Sequence, residues 1–352
     1  MLPSLAWAAA FFAAVLLALR MFQRTGLRAD AQRYAAPGQL FDCGGTRLHL
    51  YPTGSGAPTV VLEAGLVATS LNWREFQAQL AEFARVVSYD RAGLGWSDPS
   101  RTERTAAAMA GELHAALTAA SIEPPYILVG HSFGGLIARQ FALQNPGQLA
   151  GLVLIDPMPL EGWAPLADDR RRLLGRGIAL ARRGAWLARW GVIRLIAAAV
   201  LYGPRCLPRP VAKTAHKSTP SVVNRVVARI GKLPRAVWPM VAAHWSNPKS
   251  FDAFIAHLEA LPACAAEMRA APPLLDLPVT VVTPANECHL SAAELHAIAP
   301  HARQVVAHSS GHWIHLDEPE LVAGVVREMV ESARNGTDHR FAFAGRDFKM
   351  HG

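Results

Sequence analysis

Apolar residues gather along this chain in three ways. One is a solid block: LPSLAWAAAFFAAVLLAL, spanning 2–19, carries no charged side chain. The second is a series of short runs rich in branched residues: PTVVLEAG (58–65), RVVSYD (85–90), PYILVG (125–130), AGLVLID (150–156), LPVTVVT (277–283) and RQVVAHS (303–309). Runs this short, bounded by Gly, Pro or polar residues and lacking a polar alternate face, predict strands buried on both sides. The third is helical spacing. In WREFQAQLAEFA (73–84), Trp73, Phe76, Leu80 and Phe83 fall on one face. Similar segments cover 103–120, 134–146, the neighbourhood of 291–298, and 319–333. QLFDCGGTRLHLYPTG adds two short strands across a Gly-Gly turn.

Strands alternating with helices predict an α/β fold, with a mostly parallel sheet covered by helices on both faces. The alternation lapses between 157 and 276, where helix-like segments dominate. The expected organisation is therefore an N-terminal membrane anchor (1–25), a polar linker (26–39), a core in two pieces (40–156 and 277–334), a helical lid inserted between them (157–276), and a polar tail (335–352).

The N-terminal block is long enough, at about 1.5 Å per helical residue, to cross the apolar core of a bilayer. Arg20, Arg24 and Arg28 follow it rather than precede it, and no clear cleavage site appears. That order favours an anchor over a cleaved signal, and the positive-inside rule favours placing the bulk of the chain in the cytoplasm. The net charge of +8 admits anionic partners. No nucleic-acid motif accompanies it, so a nucleic-acid partner is not expected. The cysteines, Cys43, Cys206, Cys264 and Cys288, form no C-x-x-C pair. Neither G-x-G-x-x-G nor a phosphate-binding lysine is present. Neither a metal nor a cofactor is expected.

The chemistry centres on LVGHSFGG (128–135). A buried strand ends there, a helix opens, and Ser132 stands at the turn. Strand, G-x-S-x-G and helix in that order predict a strained elbow that lifts the serine hydroxyl above the sheet edge. The following helix would supply one oxyanion donor, Phe133 N–H. The loop after Gly65 would supply a second, Leu66 N–H. A base is expected after the last strand, where HSSGHWIHLDEP holds His308, His312 and His315. His312, in the loop itself, is the preferred base and His315 the second choice. For the orienting carboxylate, Glu287 follows the strand 277–283 and is preferred. Asp156, at the end of the preceding strand, is the alternative acid.

Together YDRAGLGWSD (89–98), GHSFGG (130–135), GLVLIDP (151–157) and SGHWIHLDEPELV (310–322) resemble the α/β-hydrolase superfamily, in particular its bacterial esterase-like members. The resemblance spans about 40–334. It implies Ser132 as nucleophile, His312 as base, and Asp90-Arg91 as a structural turn. It also implies an α/β-hydrolase fold with a helical lid. Two features depart from the pattern: Glu63-Ala64-Gly65 stands where many relatives have His-Gly, and Glu287 stands where Asp is commoner. Serine at 132 disfavours the branches that use an aspartate nucleophile.

The expected activity is hydrolysis of hydrophobic or lipid-like carboxyl esters through an acyl-enzyme. Amide or prolyl-peptide cleavage is one alternative, disfavoured by a basic lid. A non-catalytic binding protein is the other, disfavoured because every role has a candidate. The lid stretch 168–203 is rich in Arg, Leu, Ala and Trp, a composition suited to a membrane interface.

Overall fold

Val60, Val61 and Leu62 of β3 (Thr59–Glu63) lie in parallel register with Val86, Val87 and Ser88 of β4 (Arg85–Tyr89) on one side. On the other side they face Ile127, Leu128 and Val129 of β5 (Tyr126–His131). All nine are fully buried. Alternate residues enter opposite layers: Val61 and Leu128 join one core, Val60, Leu62 and Val129 the other. A strand covered on both faces has no place for polar alternation, which is why these runs are continuously apolar.

This arrangement comes from a computed structural model that describes residues 2–202, 231–286 and 290–336. Its sheet has eight strands in the order β1-β2-β4-β3-β5-β6-β7-β8. β1 (Gln39–Asp42) and β2 (Arg47–Thr53) form an antiparallel edge. The others, including β6 (Leu149–Ile155), β7 (Val279–Pro284) and β8 (Arg303–Ala307), run parallel. Helices α3 (Ala106–Ala119) and α4 (Phe133–Gln144) cover one face. Helices α2 (Arg74–Ala81) and α11 (Pro319–Asn335) cover the other, with Trp73, Phe76, Val322, Val326 and Met329 in its core. The fold is the α/β-hydrolase fold expected from the sequence.

The chain leaves the sheet after Ile155 and returns at Val279. Between them lie α5 (Asp168–Arg189), α6 (Val192–Tyr202), α7 (Trp238–Ser246) and α8 (Pro248–Ala270). These helices form a cap. α5 meets α8 closely: a Cβ on Gly184 would fall 2.3 Å from the Phe251 ring. The Arg182–Glu259 and Arg189–Asp252 pairs lace the same contact from outside, at 2.9 and 2.8 Å. Their exposure limits each to about 0–1 kcal/mol.

The N-terminal helix α1 runs unbroken from Leu2 to Arg33, through most of the stretch expected to be a linker. The reason is tertiary. Gln23, only 4% exposed, donates from Nε2 to the Ser246 carbonyl at 2.8 Å. Arg194 of α6 bridges to Asp30 at 2.6 Å and donates to Gln23 Oε1 at 3.1 Å. Gly26 lets Arg194 lie across the helix, since a Cβ there would meet its Nε at 2.4 Å. The polar half of α1 is thus part of the cap's packing, while Trp7 and Phe11 on the apolar half are 77% and 72% exposed. The short helices α9 (Ala292–Ile298) and α10 (Ile314–Asp317) flank β8.

Candidate active site

Strand register sets the site. His131 ends β5 opposite Ile155, which ends β6, so Ser132 and Asp156 emerge side by side from neighbouring strands. Ser132 adopts φ 55° and ψ −121°, and Asp156 has φ 40°; both are non-glycine residues with positive φ. Such backbones cost on the order of 1–3 kcal/mol and persist where the surroundings enforce them. The Ser132 N–H donates to Ile155 O at 2.9 Å, and the Asp156 N–H to Val282 O at 2.7 Å, so each elbow is tied to the next strand. The turn also demands glycine. A Cβ on Gly134 would come within 2.5 Å of the Ala64 carbonyl, and one on Gly130 within 2.9 Å of the Gly134 carbonyl. Ser132 occupies the N-cap position of α4, yet its side chain caps nothing there. Among the described residues its hydroxyl makes no hydrogen bond.

His312 stands in the loop between β8 and α10, as its position after the last strand predicts. Its Nδ1 lies 2.5 Å from Asp156 Oδ2. A carboxylate accepts, so in the neutral tautomer this contact selects, Nδ1 carries the proton and Nε2 the lone pair. The backbone carbonyl of His312 accepts from His131 Nε2 at 2.8 Å, which fixes the loop onto β5. His131 itself is buried, and burial pushes its pKa down to about 3, so it stays neutral. His315, the second-choice base, is 1% exposed and stacks on Trp73 with ring centres 4.2 Å apart. It packs beneath the site rather than opening into it. Among the described residues, the acid that meets His312 is Asp156, the alternative carboxylate in the sequence. Glu287, the preferred one, lies outside the described residues, as do Cys206 and Cys288.

Gly65 sits against the serine: a Cβ built on it would be 3.7 Å from Ser132 Cβ. The loop that carries Leu66, one expected oxyanion donor, therefore comes close to Ser132, and Phe133, the other, follows Ser132 at the start of α4. Phe133 is buried and its ring lies under the Arg91 guanidinium, 5.6 Å away. Asp90, next to Arg91, accepts from Ser70 N–H at 2.7 Å and pairs with His49 at 2.9 Å. Burial works to raise the Asp90 pKa, but the His49 hydrogen bond and charge and the Ser70 N–H hold it below the ordinary carboxylate value. The turn role implied for Asp90 fits these bonds.

Residues 58–176 match the family described as alpha/beta hydrolase fold. A curated relative from Enterobacter cloacae, "Putative carbamate hydrolase RutD", is 32% identical over 282 residues, covering 76% of this chain and 90% of that protein. The chain belongs to the α/β-hydrolase superfamily. A Bacillus subtilis relative, "Uncharacterized protein YqjL", is 40% identical over 104 residues, but that match spans only 41% of its length. Among solved structures, a "putative epoxide hydrolase from Pseudomonas aeruginosa" superposes with a TM-score of 0.63 at 19% identity, covering 84% of this chain and 96% of that one. At that identity the likeness is one of fold. An α/β-hydrolase is a hydrolase scaffold whose activity is set by the residues at its strand ends.

Proposed function

We propose that this α/β-hydrolase is a serine hydrolase of hydrophobic carboxyl esters, with Ser132 as nucleophile, His312 as base and Asp156 as orienting acid. The observation that carries the reading is the 2.5 Å contact between Asp156 and His312 Nδ1, made one strand away from the Ser132 elbow. Asp156 accepts a hydrogen bond from Nδ1–H, so Nε2 is the nitrogen available to take a proton from Ser132 Oγ as it attacks the substrate carbonyl. The tetrahedral oxyanion accepts from Phe133 and Leu66 N–H. The leaving alcohol takes the proton from His312, and water repeats the sequence to release the acid.

A second reading has its own support. The relative covered over 90% of its length carries the name carbamate hydrolase. A carbamate carbonyl is attacked by the same machinery, with carbamic acid as the product-side group. A panel of p-nitrophenyl esters of increasing chain length, aryl carbamates and anilides separates the readings. Preference for longer acyl esters supports the first, and a carbamate with the higher kcat/KM replaces it with the second. Fluorophosphonate labelling of wild type that is lost in Ser132→Ala is the test common to both.

The substrate's source is read from the cap. Leu173, Leu180 and Trp186 are exposed along α5 beside the exposed Arg176 and Arg183, on the cap that α1 joins. Apolar side chains among arginines on an exposed helix suit the boundary of an anionic bilayer. In this reading α1 anchors the enzyme, the cap rests on the lipid, and a lipid-like ester enters from that side. Flotation with anionic vesicles of a chain lacking residues 1–19 tests it: retained binding that falls in R176E/R183E is expected, and no binding rejects the cap contact.

A further inference from the structure

The buried Arg91 has an unusual set of partners. Its Nη1 donates to Glu63 Oε1 and, at 2.5 Å, to the Ala64 carbonyl. Its Nη2 donates to the Gly65 carbonyl and, at 3.1 Å, to the Leu66 carbonyl. Three successive carbonyls of one loop therefore converge on a single guanidinium. The side chain is 2% exposed, and its charge is balanced by a Glu63 carboxylate that is fully buried. Tyr89 Oη donates to the other Glu63 oxygen. Burial pushes the Glu63 pKa up, against the opposing pull of Arg91 and of the Tyr89 hydrogen bond.

The peptide plane turns this into chemistry. In a trans peptide the C=O of one residue and the N–H of the next point in opposite directions. With the Gly65 carbonyl drawn to Arg91, the Leu66 N–H is driven the other way. That N–H makes no hydrogen bond among the described residues, and a Cβ on Gly65 would lie 3.0 Å from the His131 ring and 3.7 Å from Ser132 Cβ. An oxyanion donor is worth its full value only when it is aimed before the charge develops. We propose that Arg91, held by Glu63, is the positioning residue that orients the second oxyanion donor, and that the Glu63-Ala64-Gly65 sequence exists to seat this guanidinium. Lysine cannot substitute, because a point ammonium lacks the planar fork that spans several carbonyls.

The inference rests on the serine-hydrolase reading, and its test separates the two. Wild type, Arg91→Lys, Arg91→Ala and Glu63→Gln are compared for kcat, KM, melting temperature and inhibition by a trifluoromethyl ketone, whose hemiketal oxyanion needs both donors. The expected result for Arg91→Lys is a kcat lower by about 10²-fold and a trifluoromethyl ketone bound more weakly by a similar factor, with KM within about threefold. Added guanidinium is expected to restore part of the kcat of Arg91→Ala, and Glu63→Gln to show the same pattern more mildly. Arg91→Lys and Glu63→Gln both retaining kcat and ketone affinity within about threefold would overturn the proposal. So would losses in kcat, KM and melting temperature that move together without selective loss of the ketone. Wild type that fluorophosphonate fails to label at Ser132 would instead remove the serine-hydrolase reading, and this inference with it.

Discussion

The sheet and the cap are built by different rules. In the sheet, Leu62, Val129 and Val153 are fully buried and in register, and each strand end delivers one residue to one place. In the cap, α6 buries none of its side chains fully, and α5 and α8 share exposed ion pairs. The sheet holds residues that must meet within a hydrogen bond, as Asp156 and His312 do. The cap presents exposed apolar and basic side chains along α5. Chemistry is therefore expected to be intolerant of change at strand ends, and selectivity to be tunable from the cap.

The comparison breaks most readily at the strand ends. Ser132→Ala is expected to lower hydrolysis by at least about 10⁴-fold and to abolish fluorophosphonate labelling without changing the melting temperature by more than a few degrees. Asp156→Asn is expected to lower kcat by about 10⁴-fold through loss of the productive tautomer, while Glu287→Gln stays within a few-fold of wild type. The reverse ranking would move the acid to the segment that follows β7 in sequence. Within the sheet, Leu128→Ala removes a fully buried side chain and is expected to cost about 2–5 kcal/mol by denaturant titration.

Acid sharpens the contrast next. Burial holds the pKa of His131 at about 3 and that of His315 well below its ordinary value, so both are neutral in the folded chain. Unfolded, they titrate near about 6.5. Their contribution is whole above that value. It is lost as pH falls towards the folded pKa, because the unfolded state binds protons that the folded state refuses. Lowering pH from about 7 to about 5 is expected to remove about 1–2 kcal/mol through His131, with a loss of the same sign through His315 that His315→Phe abolishes. The smallest effect is expected in the cap: Arg182→Ala breaks an exposed pair and should shift stability by no more than about 1 kcal/mol.

Much of this was legible in the chain. The strands of the parallel sheet announced themselves because burial on both faces leaves no polar alternation, and Ser132 and His312 because glycine and loop position mark them. The acid is less legible: the sequence favours Glu287 over Asp156. Asp156 and Glu287 both follow apolar runs, and only the register placing β6 between β5 and β7 shows which strand end the imidazole of His312 reaches. The positive φ at Asp156 leaves no trace in a residue that also suits an ordinary turn before Pro157. The continuation of α1 past its apolar block escaped for a different cause. Its polar half is stabilised by Arg194 and Ser246, more than 160 residues away in sequence. Arg91 looked like a turn residue because nothing local tells that its guanidinium reaches the carbonyls of residues 64–66.

The splice between α1 and the cap has a practical corollary for anyone shortening the chain. Hydropathy suggests cutting where the greasy stretch ends or anywhere in the polar residues after it. Gln23 and Asp30 draw a sharper line: a cut before Gln23 leaves the Ser246 carbonyl and the Arg194 guanidinium with their partners. A cut after Asp30 strands a buried carbonyl and a cation together. The shortest intact form of this chain is defined by its last helical contact with the cap, and not by its last lipophilic residue.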